Sequence, residues 1–97
     1  MYNILIPVNK SNGFVVDSLE NSKYLLILDL DTKRKVLIEN NFRTHKVDFE
    51  EFIESHDLRV IICTGMSGPL KNIAEDMGVK IMYTKPVALD EILNMIL

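Results

Sequence analysis

The sequence predicts an α/β fold: a three-layer αβα arrangement around a five-stranded mixed sheet, order 3-2-1-4-5, with strand 2 antiparallel. Three observations lead to it. Short apolar runs bounded by turn residues recur along the chain, and two of them are separated only by Asp31-Thr32-Lys33, so they pair as a hairpin. Between Arg59 and Pro86 the order is strand, glycine turn, amphipathic helix, Gly78, strand, which is a βαβ unit. Right-handed crossovers then place the fourth strand beside the first and the fifth outside it. The 97 residues are read as one domain, 1–97, enough for a single core and too few for two.

Each element has its own local reason. Asn3-Ile4-Leu5-Ile6-Pro7-Val8 is a β-branched apolar strand whose pairing should weaken at Pro7, which lacks an N–H. Asn9 to Gly13 is a turn cluster, and Phe14-Val15-Val16 a short extended piece. Tyr24 to Leu30 is continuously apolar, as a strand buried on both faces would be, and Lys35 to Glu39 returns beside it. Asn40 to Lys46 is polar and irregular. A helix starts at Asp48, where Asp48 and Glu51 have capping-box spacing and Phe49, Phe52, Ile53 and His56 share one face. Val60-Ile61-Ile62-Cys63 is the fourth strand. The second helix opens at Pro69, buries Leu70, Ile73, Ala74 and Met77, and ends at Gly78. Lys80 to Tyr83 is the last strand. A helix from about Ala88 buries Leu89, Ile92, Leu93 and Ile96.

Composition narrows the function classes. The chain is 47% hydrophobic and 26% charged, as an ordered globular protein is. A net charge of -3 argues against general nucleic-acid binding. No apolar run reaches the roughly 20 residues of a spanning helix, so no membrane partner is expected. The lone Cys63 allows no disulfide within the chain, and the start of the sequence reads as a strand, not a leader; a cytoplasmic setting is expected.

The motif with chemistry is the turn Gly65-Met66-Ser67-Gly68 before Pro69. Glycines there let backbone N–H groups approach a ligand at a helix N-terminus, where the dipole favours negative charge; they equally serve a tight turn. Lys-Ser/Thr does not follow, so the turn is not a nucleotide P-loop, and Ser67 has no histidine base in the motif. In the predicted topology strands one, three, four and five end at one rim. That gathers Asn9 and Lys10, Arg43 and His45 with Lys46, the glycine turn, and Lys85. Read together, Asn9, Lys10, Arg43, His45, Gly65, Met66, Ser67, Gly68 and Lys85 are the candidate ligand-binding residues, for an anion or oxyanion. A set of nucleophile, base and oxyanion donors does not assemble, so the expectation is a binding protein and not an enzyme. Cys63 reads as a core residue.

The whole chain resembles the dinitrogenase iron–molybdenum cofactor family, the NifX-like and NifB C-terminal-like domains. Ile4-Leu5-Ile6-Pro7-Val8 matches the opening strand and Tyr24 to Asp29 the second; Val60 to Gly68 matches the glycine turn and Gly78 to Tyr83 the last strand. The resemblance implies a ribonuclease-H-like fold and a non-enzymatic carrier for an iron–molybdenum or other metal–sulfur cluster or its precursor, with a possible protein partner in cofactor assembly. The chain departs from the family where His-Phe-Gly is usual: Ser18-Leu19-Glu20 stands there. Asn41-Phe42-Arg43-Thr44-His45 replaces the usual glycine-histidine segment. Which metal is bound is unknown from these residues. An interaction domain that has lost the ligand is the alternative. The C-terminal half also resembles a phosphoacceptor receiver domain, through Thr64 and Thr84-Lys85-Pro86. Val8-Asn9-Lys10 lacks a receiver's acidic pair, and the fifteen or so residues before Tyr24 are too few for its first helix.

Overall fold

The computed structural model describes residues 3–43 and 48–97. Its strands are β1 (Asn3–Lys10), β2 (Phe14–Val16), β3 (Tyr24–Asp29), β4 (Arg34–Glu39), β5 (Leu58–Cys63) and β6 (Lys80–Tyr83). The helices are α1 (Phe49–Ser55), α2 (Gly68–Asp76) and α3 (Leu89–Ile96), with a 3₁₀ turn at Asn41–Arg43. The sheet is mixed, as expected, and runs β4-β3-β1-β5-β6. It has six strands and not five, because Phe14–Val16 pairs antiparallel with the end of β1. A three-residue strand is too short to be recognised by alternation; here the hairpin from Lys10 to Phe14 holds it in place.

Alternation along the central strands builds two cores. Ile4, Ile6 and Val8 of β1, Leu26 and Leu28 of β3, and Val60 and Ile62 of β5 face α3, meeting Leu89, Ile92 and Leu93. Leu5, Leu25, Ile27, Ile61 and Cys63 face the other way, against Phe49 and Ile53 of α1 and Ala74 of α2. The continuous apolar runs are thus explained: both faces are covered.

Helix ends follow the local signals. Asp48 caps α1 by accepting the Glu51 N–H at 3.2 Å, Pro69 lies in the first turn of α2, and Gly78 takes φ +79° just past its end. Asp29 accepts the N–H of Asp31 and forms the hairpin turn. His56 packs on Phe52 with ring centroids 4.4 Å apart and its Nδ1 reaches the Phe52 carbonyl, a structural placement.

Pro7 sets the shape of the rim. The Pro7 carbonyl accepts the Asp17 N–H, on the side of β1 that faces β5. A strand residue's N–H and C=O point the same way, so the donor that proline lacks is missing on that side. Parallel pairing between β1 and β5 ends at Leu5–Ile61, two residues earlier. Beyond that point β1 and β5 are joined through a third segment: Asp17 donates to Pro7, and its own carbonyl accepts the Thr64 N–H.

Candidate functional site

The C-terminal ends of β1, β4, β5 and β6 share one rim, since β1, β5 and β6 are parallel and β4 runs antiparallel to β3, which is antiparallel to β1. The rim therefore carries Asn9 and Lys10, the Gly65–Gly68 turn and Lys85, as expected from topology. The bridge from Val15 to Ala88 ties the β1–β2 hairpin to the segment after Lys85. Arg43 closes the 3₁₀ turn at the end of β4. His45 and Lys46 lie outside the described residues.

Sequence reasoning missed the segment that crosses this rim, residues 17–22. It enters the gap between β1 and β5 and is fastened at every step. Leu19 donates its N–H to the Gly65 carbonyl at 3.1 Å and buries its side chain completely in the α1/α2 core. Buried Asn40 donates to the carbonyls of Leu19, at 2.6 Å, and Ser22, at 2.9 Å, and to the Ser22 hydroxyl. Asn9 serves the same segment: its amide donates to Asp17 and Asn21, and its oxygen accepts the Lys23 N–H at 2.7 Å. Asn9 thus positions the strap rather than presenting itself at the surface.

The strap ends on the glycine turn. The Ser67 N–H donates to the Glu20 carboxylate at 2.6 Å, across 47 positions of sequence. Ser67 is the N-cap residue of α2, and its own side chain makes no capping bond. Glu20 therefore supplies the negative charge that the helix N-terminus favours. Two signals could have revealed the strap: Leu19, a lone apolar residue in a polar stretch, and Asn40, which ends a strand at the rim.

Neither Gly65 nor Gly68 is required by the backbone, since positive φ among the glycines occurs only at Gly13 and Gly78. A Cβ at Gly68 would meet nothing within 4 Å, and one at Gly65 only the Ser18 Cβ, at 4.0 Å. Gly65 lies half-buried against the strap, whereas Gly68 is exposed and leaves the first turn of α2 without a side chain on its surface. Met66 is half-buried, packed on the α1/α2 core. Lys10 and Lys85 are exposed.

Direct metal ligation has little support from this donor set. Among the described residues no group of three His, Cys, Asp or Glu side chains could hold a metal ion. Cys63 ends β5 directly below the turn, but burial pushes its thiol up to about 11 from 9.0; the Gly65 N–H works against that shift and the Glu20 charge adds to it. The Cys63 side chain is also fully buried, with no surface on the rim. What the rim offers is the exposed Gly68 at the start of α2, a Ser67 N–H that already holds a carboxylate, and exposed ammonium groups, which fits recognition of an anion's outer atoms. Among the described residues no helix is long and apolar enough to cross a membrane.

Comparison with known proteins agrees with the architecture. Residues 2–97 match the family model described as dinitrogenase iron-molybdenum cofactor. A search of the curated proteins gives no match. Among solved structures, the chain is similar to the NMR structure of a Thermotoga protein described as NifB-like and of the DUF35 family. The TM-score is 0.78 at 18% identity, over 97% of this chain and 85% of that one. It is also similar to the apo form of the orange protein from Desulfovibrio gigas, with TM-score 0.75 and 12% identity over 97% and 85% of the two chains. At these identities the structures speak for the fold.

Proposed function

The chain belongs to the dinitrogenase iron–molybdenum cofactor family, and we propose that it is a non-enzymatic carrier which holds an anionic metal–sulfur cluster, or its precursor, as cargo at the rim around Gly65–Gly68. The observation that carries this reading is the pair of glycines that the fold does not need. Gly68 leaves the N-terminus of α2 open to close approach, Gly65 lets the strap pass beside it, and a carboxylate already rests there on the Ser67 N–H. Lys10 and Lys85 supply positive charge on the same rim. The cargo anion would take the place of the Glu20 carboxylate or lie beside it, held by backbone N–H groups and ammonium groups, without covalent ligation by Cys63.

Glu20 also favours a second reading. With the chain's own carboxylate on α2 and Asn9 committed to the strap, the rim is self-contained, as it would be in an interaction domain that has lost its ligand. Titration with thiomolybdate, followed by absorbance and by molybdenum analysis after desalting, separates the two. A carrier takes up the anion at a fixed ratio. Gly68→Ala and Lys85→Ala weaken uptake, whereas Glu20→Gln strengthens it. No uptake by the wild type and none by Glu20→Gln, with the native circular dichroism spectrum retained, would leave the interaction domain standing.

A further inference from the structure

β4 forms one border of the sheet along its full length, with no strand beyond it among the described residues. Its six residues contain no proline, and the register with β3 is unbroken from Tyr24–Glu39 to Asp29–Arg34. Of the usual devices against edge pairing, β4 lacks proline, a bulge and shortness, and carries only charge: Arg34, Lys35 and Glu39, which repel an unmatched strand but not one that sets Lys against Glu. Val36 is 54% and Leu37 42% exposed, on opposite faces of the sheet; of the strand's apolar residues only Ile38 is packed against a helix layer, on the α1/α2 side.

The strand's pattern identifies what would cover it. The Asn40 N–H donates to the Lys23 carbonyl, so Asn40 faces β3. By alternation Ile38, Val36 and Arg34 also face β3, and the N–H and C=O groups of Lys35, Leu37 and Glu39 point outward. Suppose a second copy pairs antiparallel along this edge. The two-fold axis then stands perpendicular to the sheet, each residue meets a partner on its own face, and paired residue numbers sum to an even value. With the axis at Val36, Lys35 would face Leu37 and Arg34 would face Ile38, setting charge against apolar groups. With the axis at Leu37, Leu37 meets Leu37, Val36 meets Ile38, and Lys35 meets Glu39 at both ends. Every pair from Lys35 to Glu39 is then matched, and Arg34 meets no apolar side chain but falls opposite Asn40. A parallel arrangement would set Lys35 beside Lys35.

The geometry points to β4 as a self-association edge: two copies join antiparallel about Leu37, fusing their sheets into one, with Lys35–Glu39 pairs fixing the register. The interface is a single strand edge with few side chains on each face, so association is weak and concentration-dependent. The other border, β6, is four residues long and has no such self-complementary charge pair.

Sedimentation equilibrium on the full chain, from about 1 μM to about 1 mM, tests this. The wild type associates to a dimer. Lys35→Glu and Glu39→Lys each bring like charges together twice per dimer and weaken association about tenfold or more. The double variant K35E/E39K restores the pairs and recovers wild-type association. A wild type that stays monomeric throughout overturns the proposal. So does a double variant no tighter than the single ones, because each copy still folds at this exposed edge and only the pairing is changed.

Discussion

Asn40 decides whether the rim is ordered. Its amide donates to two buried carbonyls and a hydroxyl of the strap, at the end that the Pro7, Thr64 and Gly65 bonds do not reach. Asn40→Ala removes the Ser22 carbonyl's side-chain donor and leaves the Leu19 carbonyl only the Ser22 hydroxyl, which costs about 1–3 kcal/mol, measurable as a lower urea midpoint. Cys63 sets a different limit. Its folded thiol keeps its proton up to about 11, while in the unfolded chain it is lost near 9.0. The folded state therefore binds more protons in that window, so this contribution to stability is complete below the lower value and declines as pH rises through the upper one. Urea midpoints at pH about 8 and about 10.5 should show a drop that Cys63→Ala reduces. The sequence marked Cys63 as core, and placed His56 on the apolar face of α1, from position alone. It could not mark Glu20, because a capping carboxylate has the same local appearance as a solvated loop residue, and for Asn40 it offered only a place at the end of a strand; their distant partners distinguish them.

At the scale of elements, the unit from β5 through α2 to β6 was legible because its signals are local: apolar alternation, a proline at a helix start, a glycine at its end. The strap from 17 to 22 was not, because it has neither period nor cap and is held by partners up to 47 positions away. The glycines of the α2 unit separate the two kinds of constraint. Gly78 sits at φ +79°, where any other side chain strains the backbone, so Gly78→Ala costs about 1–2 kcal/mol. Gly65→Ala and Gly68→Ala meet no such strain and no neighbour closer than 4.0 Å, so both should melt within a few degrees of the wild type. A large loss at Gly68 would show that the fold, and not a ligand, requires that glycine.

For the molecule as a whole, stability is distributed by the sheet's order. β1 lies between β3 and β5, and Leu5, Ile6 and Val8 are fully buried between two helix layers. The borders differ from it in kind: β4 is exposed at most positions, and β6 is a short strand with Met82 and Tyr83 half exposed. Local opening draws on regions with few buried apolar contacts, so the amides of β6 and β4 should exchange through small fluctuations, while those at the centre of β1 and β3 exchange only by global unfolding. Hydrogen exchange followed residue by residue checks this order. The same experiment reads the junction at Pro7. The Thr64 and Asp17 amides, which bridge the gap between β1 and β5, should be nearly as protected as the strand centres in the wild type. In Asn40→Ala they should fall to the level of the border strands, while the β1 centre keeps its protection relative to global stability. Uniform loss across the sheet would mean that the strap and the sheet open as one unit, and that the rim has no independent freedom to admit a ligand.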